Sequence, residues 1–493
     1  MITPRDHRLA VAALLAALVF GLPEPAAAEL EQRRGTLTIL WGDPEPGSGL
    51  APRRVFHLAE DGGRTAELEI SAALERLHGG FHGWSGRRVE VTAERPPHGP
   101  LQTSAAGALE VRALRLLSPD GGPQHRGSVS GSQPWVSILC KFQDIPAEPE
   151  DLAYFQGMYA DQPGGLDHYW REVSYDTIDV VGSTAVDWVV LPNPQSFYVP
   201  TPGSGMNADL GALFDDCTAA ADPFVDFSNG GDPFVGINMM FNDLLDCCAW
   251  GGGWFAELDG VAKVWRVTWE PPWAYANEGV IAHEMGHGFG LPHSNNWDGD
   301  DNPYDSPWDV MSSATGYAVF DPTYGLLGKH TLAYHKDDLL GWIAAEQIFE
   351  VPGPGSYTVT LDHMALASTA NHRIARIPIS GSNRFYTVEA RKRVGGYDGA
   401  LPGDAAILCE VDPGRSEPVW TVDGDVPPAD FGDNEGTMWR VGETFTDEAA
   451  GISVSVIAET TDGFEVRITS LAQLIFSDGF ENGDTSSWSA TNP

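Results

Sequence analysis

The sequence predicts a central α/β domain, built on a mixed sheet plus one histidine-bearing helix, with a β-rich domain before it and a β-sandwich after it. Three observations predict this. The 493 residues are 42% hydrophobic and include 16 tryptophans, enough for two to four folded domains with real cores. Between about residues 131 and 345 strand and helix patterns are mixed, as in an α/β sheet with helices packed on it, whereas both flanks show strand patterns cut by Gly, Pro and Asp turns. Third, residues 283–293 read His-Glu-Met-Gly-His-Gly-Phe-Gly-Leu-Pro-His, a spacing suited to holding a metal on a helix.

In chain order, residues 1–28 read as a secretory signal peptide. Arg5 and Arg8 precede an apolar run from Leu9 to Leu22, and Ala26-Ala27-Ala28 offers a small-residue cleavage site. About fourteen apolar residues are short for a membrane span, and no later segment approaches that length. The reading is a protein secreted, from a bacterium, with no membrane insertion after signal removal. Sixty-nine acidic against 29 basic residues give a formal charge of −40, which disfavours nucleic acid and anionic membrane surfaces as partners.

Residues 29–130 carry strand patches at 35–41, 53–58, 88–92 and 109–117, a small β domain that could close as a barrel. Its position suggests a propeptide covering the site that follows, and hence a zymogen. No cysteine precedes Cys140, so a thiolate latch from this segment is excluded. Asp43, in Trp41-Gly42-Asp43-Pro44, reads as an acidic residue in a tight turn; the alternative is a carboxylate on the metal. Residues 119–134 have the polar, Gly/Ser/Pro-rich composition of an exposed linker, where a cut would activate the chain.

In the central domain, 131–345, strands are expected at 135–142, 176–181 and 185–191, with an amphipathic helix at 166–173. Gly251-Gly252-Gly253-Trp254 precedes a strand at 261–269. That strand or its neighbour is the expected sheet edge, where an extended substrate could pair by strand addition; an edge shielded by its own tryptophans is the alternative. The helix at 278–288 follows. Positions four apart share a helix face, so His283 and His287 aim two imidazoles at one point. Gly290 can take the left-handed turn that ends the helix and brings His293 back as a third ligand. Three imidazoles with one open position are the ligand set of a catalytic Zn2+, one ion, and Glu284 is placed to reach a water there without being a ligand.

Beyond His293, residues 296–302 are dense in short oxygen ligands, and Asp298, Asp300 and Asp301 are candidate Ca2+ ligands, against a merely solvated acidic loop. A closing helix is expected at 331–342, with His330 and His335 as packing or surface residues. Of the five cysteines, Cys140, Cys217, Cys247, Cys248 and Cys409, Cys217 with Cys247 or Cys248 is the preferred disulfide, leaving an odd thiol. Residues 346–470 hold strand patterns at 356–361, 373–379, 385–389, 406–411, 452–458 and 464–468, the signature of a sandwich. Residues 471–493 read as a flexible tail, similar to one found on many exported proteins of Gram-negative bacteria.

HExxHxxGxxH is the metzincin signature, and the segment from about 134 to 460 resembles the immune inhibitor A and gametolysin-like secreted metallopeptidases. Besides the zinc motif, the likeness rests on Tyr169-Trp170-Arg171-Glu172-Val173-Ser174-Tyr175, Trp308-Asp309-Val310-Met311-Ser312 and Leu339-Leu340-Gly341-Trp342. It adds Val388-Glu389-Ala390-Arg391, Gly396-Tyr397-Asp398 and Val441-Gly442-Glu443-Thr444-Phe445. Immune inhibitor A-like sequences often have aspartate where this chain has His293, and gametolysin-like ones keep histidine. The resemblance implies a metzincin-type α/β fold, Met311 as the Met-turn methionine beneath the metal, and a secreted zinc metalloendopeptidase acting on protein or peptide substrates with Glu284 as general base and acid. Some metzincins place a tyrosine two residues after that methionine; here the position is Ser313. Two other function classes fit the sequence: an exported binding or adhesive protein with a silent zinc site, and a zinc hydrolase of cell-wall substrates.

Overall fold

Fifteen residues of extended chain, Leu30–Pro44 (β1), join two domains into one sheet. The computed structural model describes residues 30–61, 63–94, 108–117, 129–205, 207–300, 302–426, 428, 432 and 434–471. The predicted signal peptide, residues 119–128 of the predicted linker, and all of the predicted tail except Leu471 lie outside these residues.

β1 pairs antiparallel with β2 (Arg53–Glu60) and β4 (Arg88–Glu94), while β3 (Thr65–Glu69) and β5 (Leu109–Leu116) complete the ring β1-β2-β3-β5-β4. The result is a five-stranded closed barrel. Closure removes sheet edges, and the inward row, including Leu37, Ile39, Val89, Val91 and Leu114, forms its core. Helix α1 (Ala72–Leu77) lies after β3, capped by the Ser71 hydroxyl. The sequence reading missed β3, a five-residue strand with three charges or hydroxyls among its side chains.

The last five residues of β1 pair antiparallel with the next domain, Leu40 opposite Gly252 and Pro44 opposite Cys248, while Leu40–Gly42 still pair with β2 on their other side, so only Asp43 and Pro44 run past the barrel. That domain begins with a two-residue ribbon of β6 (Gly131–Ser132) and β8 (Ile178–Asp179), all that forms of the strand expected at 176–181. Its main sheet contains β7 (Trp135–Lys141), β9 (Thr184–Val190), β10 (Gly236–Phe241), β11 (Cys248–Leu258) and β12 (Val261–Glu270), in the order β11-β12-β10-β7-β9. All neighbours are parallel except β11 with β12. β7 is apolar on both faces because both are covered: α5 (Leu210–Ala221) packs on one, α3 (Leu166–Ser174) and α7 (Glu278–Phe289) on the other. Short helices α2 (Leu152–Gly157), α4 (Gln195–Tyr198) and α6 (Pro272–Tyr275) fill the connections. β12 is interior; its neighbour β11 stands at the domain's sheet edge and carries β1.

The chain then passes through β13 (Asn295–Asn296) and a small hairpin, β14 (Phe320–Asp321) with β15 (Gly325–Leu326). The helix expected at 331–342 is shorter than expected, helical only over 333–339. Most of it is a π-type turn, His335–Leu339, because Lys336, His330 and His335 point into buried contacts and Gly341 turns at φ 67. The C-terminal domain packs two sheets face to face. One has the order β13-β21-β20-β19-β18-β16, from β16 (Ile348–Glu350), β18 (Ile374–Pro378), β19 (Phe385–Arg391), β20 (Ala405–Val411) and β21 (Val419–Thr421); the other is β17 (Gly355–Asp362), β24 (Gly463–Ser470), β23 (Ile452–Glu459) and β22 (Thr444–Asp447). β13 is a piece of the central domain built into this sandwich.

The disulfides differ from the expected pairing. Cys140 on β7 joins Cys217 on the helix packed over it, Cα atoms 5.8 Å apart, and Cys247 joins its neighbour Cys248. Cys409 is a buried free thiol. Sequence spacing carries no information on which helix face meets which strand, so the partner of Cys217 was open.

Candidate metal centre

Helix α7 is buried along its whole length. Its glycines let neighbours approach: a Cβ on Gly286 would stand 2.5 Å from the Met311 sulfur, so Met311 packs directly beneath the histidines' helix. Gly290 ends the helix at φ 95, in the left-handed region. The chain turns back, and His293 joins His283 and His287.

The three imidazoles converge through their Nε2 atoms. His287 Nε2 lies 3.1 Å from His283 Nε2 and 3.2 Å from His293 Nε2. His283 Nδ1 donates to the Val310 carbonyl at 2.7 Å, and His287 Nδ1 to the Leu291 carbonyl at 2.8 Å. With Nδ1 donating on both rings, a neutral ring has only a lone pair at Nε2, so two neutral rings would face each other lone pair to lone pair. That is repulsive unless a cation lies among them. Burial works against charging His283, but the Asp43 carboxylate outweighs it and raises its pKa, drawing positive charge to this point. Ligands about 2.05 Å from a tetrahedral zinc stand roughly 3.3 Å apart, so the spacing fits Zn2+, and backbone carbonyls that orient ligand imidazoles are what such sites use. Burial also holds His287 down to about 3, in the neutral form a ligand needs.

A fourth group completes the set. Asp43, at the end of β1, places Oδ1 2.7 Å from His293 Nε2, and Oδ2 3.2 Å from His287 Nε2 and 3.5 Å from His283 Nε2. Burial opposes its ionisation, but the imidazoles, His293 foremost, hold the carboxyl well below its usual range. The tight-turn reading of Asp43 is thus corrected: the residue is extended and buried, and its carboxylate occupies the position open on a three-histidine site. Three contacts hold it in register. Trp41 stacks on His287 at 5.1 Å and meets His293 edge-on at 4.9 Å. Gly42 lets β1 lie on the Trp250 ring, which a Cβ would meet at 2.7 Å. Tyr304 donates its hydroxyl to Asp43 Oδ1 at 2.6 Å.

Glu284 is fully buried beside this cluster, and neither carboxylate oxygen has a hydrogen-bond partner. Burial, then Asp43 and Glu270, push its carboxyl well above the usual range; burial, with Asp43 adding, does the same to Glu270 on β12. A dication among the imidazoles would reverse that direction for both. Gly251 lets β11 cross the helix at this point, since a Cβ there would lie 2.4 Å from the Glu284 carbonyl oxygen. The run of glycines at 251–253, which the sequence reading assigned to no element, lies within a strand that must touch helix and β1 at once.

A cavity of about 680 Å³ opens beside the histidines. Val280, Glu284 and Trp273 line one side, Ser312–Gly316 another, and Pro44–Leu50 runs across its mouth. Of the candidate calcium ligands, Asp298 and Asp300 come together, with Asp305 as the third member; Asp301 lies outside the described residues. His330 and His335 are buried away from the metal cluster, His330 against Glu172 and His335 against Asp309. Sequence reasoning missed Tyr304 and Glu270, left the sheet edge open between the strand at 261–269 and its neighbour, and set Asp43 aside. The only signal was a glycine before Asp43 and a proline after it, at the end of an apolar strand pattern.

No family model matches the chain, and no curated protein or solved structure matches it.

Proposed function

We propose that the chain is a secreted zinc endopeptidase drawn in its latent state, with Asp43 as the latch. The observation that carries the reading is the convergence of three Nε2 atoms, two of them on rings whose other nitrogen is committed to a carbonyl, beside a buried carboxylate that no protein group satisfies. His283, His287 and His293 would hold the ion. Bound there, zinc supplies Lewis acidity, polarising the scissile carbonyl and bringing the pKa of water to about 7.

The chain's own groups do the rest. β1 lies on β11 as an extended antiparallel segment, which is how a substrate strand would lie once β1 is gone. Glu284 takes the proton from water as its oxygen bonds to the carbonyl carbon, then passes that proton to the amide nitrogen as the C–N bond breaks. Tyr304, which now donates to Asp43 Oδ1, is placed to donate to the substrate oxygen that takes the carboxylate's place. The cavity walled by Val280, Trp273 and Ser312–Gly316 receives the side chain beyond the cut bond.

The test is Glu284→Ala in the processed protein, assayed on casein with zinc content measured in parallel. Turnover should fall by roughly two to four orders of magnitude with zinc retained. Undiminished casein cleavage would remove Glu284 from the mechanism, and a protein that holds no zinc after reconstitution would remove the metal.

A further inference from the structure

The loop between His293 and Met311 contains a second group of carboxylates with a different chemistry. Asp298, Asp300 and Asp305 each offer an oxygen, all within 4.8 Å of one another. Asp305 is 0% exposed, and neither of its carboxylate oxygens has a hydrogen-bond partner; Oδ2 of Asp298 is likewise buried and unpartnered. Among the described residues none of the three carboxylates pairs with a lysine, arginine or histidine. A buried anion without a partner is costly, and here a second and a third anion face it. Burial pushes the Asp305 carboxyl up to about 9, its close approach to the Asp298 carboxylate adds to that, and the charges of Asp298 and then Asp300 add repulsion.

We propose that Asp298, Asp300 and Asp305 bind one Ca2+ that fastens the segment carrying Tyr304. The donors are all hard oxygens on one loop, which suits calcium; with no nitrogen or sulfur among them, they do not suit zinc. Magnesium requires a tighter octahedron than this open loop offers. Local turns hold the carboxylates close together: Asp298 Oδ1 accepts from the Asp300 amide at 3.1 Å and Asp300 Oδ1 from the Asn302 amide at 2.7 Å, with Gly299 at φ 90 between them.

The ion's place in the fold gives it a consequence. Before the cluster, Asn295 and Asn296 pair with β21; after it, the Ser306 hydroxyl meets Thr421 at 3.0 Å. The loop therefore spans from the histidine site to the sandwich, and Asp305 follows Tyr304, whose hydroxyl reaches Asp43. Drawing Asp305 toward Asp298 and Asp300 holds Tyr304 at the metal centre. The calcium site stands whatever the histidines catalyse; only the effect through Tyr304 rests on the peptidase reading.

The experiment uses the full chain, passed over a chelating resin and given back one equivalent of zinc, then titrated with Tb3+, whose emission Trp297, next to Asp298 in sequence, can sensitise. Saturable emission should appear, displaced by Ca2+ at least tenfold more effectively than by Mg2+. About 1 mM Ca2+ should raise the thermal midpoint by about 2–4 °C. Asp305→Asn, and separately the double variant Asp298→Asn with Asp300→Asn at the loop's more accessible positions, should each weaken Tb3+ binding at least tenfold and abolish the calcium-induced shift. Without calcium these variants should be no less stable than the parent, because each removes repulsion; with calcium the order should invert. A merely structural loop gives no such inversion. No emission and no shift in the parent, or a calcium response unchanged in the double variant, would overturn the site. Calcium binding intact in a processed protein that does not cleave casein would count against the peptidase reading alone.

Discussion

Both flanking β domains touch the metal centre, and they do so with opposite chemistry. The N-terminal barrel reaches it through one strand and one carboxylate: five residue pairs of β1 on β11, the Trp41 stack, and Asp43 among the imidazoles. The C-terminal sandwich reaches it through buried ionic and backbone contacts. Arg391, 0% exposed, donates to the Trp308 carbonyl just before the turn that carries Met311, to the His330 carbonyl, and to Glu389 and Asp398. Glu389 in turn accepts from the Ala333 amide, and the Trp308 indole donates to Thr437. A strand added to an edge can be lifted off without leaving charges stranded. Parting the sandwich from the central domain would instead strip the buried Arg391 guanidinium of the Trp308 and His330 carbonyls and leave those donors and acceptors unmet. One flank is suited to leave and the other to stay, as the latency proposed above requires.

The largest expected effect lies on the permanent side. Arg391→Leu leaves Glu389 and Asp398 buried without their cation and should cost about 3–5 kcal/mol, with the central domain and the sandwich unfolding together in urea. Two separate transitions, with the first unchanged from the parent, would break the claim that the sandwich is part of the catalytic scaffold.

On the removable side, Asp43→Ala should give the intact, uncleaved chain casein-hydrolysing activity about a hundredfold above the parent, because the two to three charge-assisted contacts that hold the carboxylate over the imidazoles are lost, each worth about 1.5–3 kcal/mol. Gel analysis of the N-terminus must show that no cut has occurred. If the uncleaved variant stays as inert as the parent, latency is due to β1 covering the cleft rather than to the carboxylate.

Between the flanks, Glu278 opens the metal helix, fully buried, with Oε2 accepting from the Gly328 amide at 2.7 Å. Burial holds its carboxyl up at about 8, above its unfolded value. Such a group contributes its full stability below about pH 4.5 and loses it as pH rises through about 8. Glu278→Gln should therefore flatten the fall in stability between pH 5 and 8 by about 1–3 kcal/mol. A parallel pH profile in parent and variant would mean Glu278 is ionised in the fold.

The smallest effect sharpens the boundary at the site. Tyr304→Phe should lower kcat on casein about tenfold, the worth of one hydrogen bond to a charged oxygen, with KM and zinc content unchanged. A rise in KM alone would make Tyr304 a contact of the substrate strand and not of the reacting carbonyl.

Much of this was legible locally. The spacing of His283, Glu284, His287, Gly290 and His293 is a statement about one helix and one turn, and helical geometry is set by a few neighbouring residues, so the sequence alone placed three imidazoles and a carboxylate near one point. The strand patterns of the sandwich were readable for the same reason, since an alternating or continuously apolar run declares its own covering. Asp43 was not legible in this way. It is 240 residues before His283 in the chain, and its role depends on β1 running past the end of its barrel onto β11, an edge that only the packed sheet reveals. Asp305, Tyr304 and Arg391 belong to the same class: each is an ordinary residue until a distant segment is brought to it. Local chemistry decided what the helix can hold. Long-range pairing of strands, which no short window of sequence encodes, decided what covers it, what fastens it, and which acid sits in its open position.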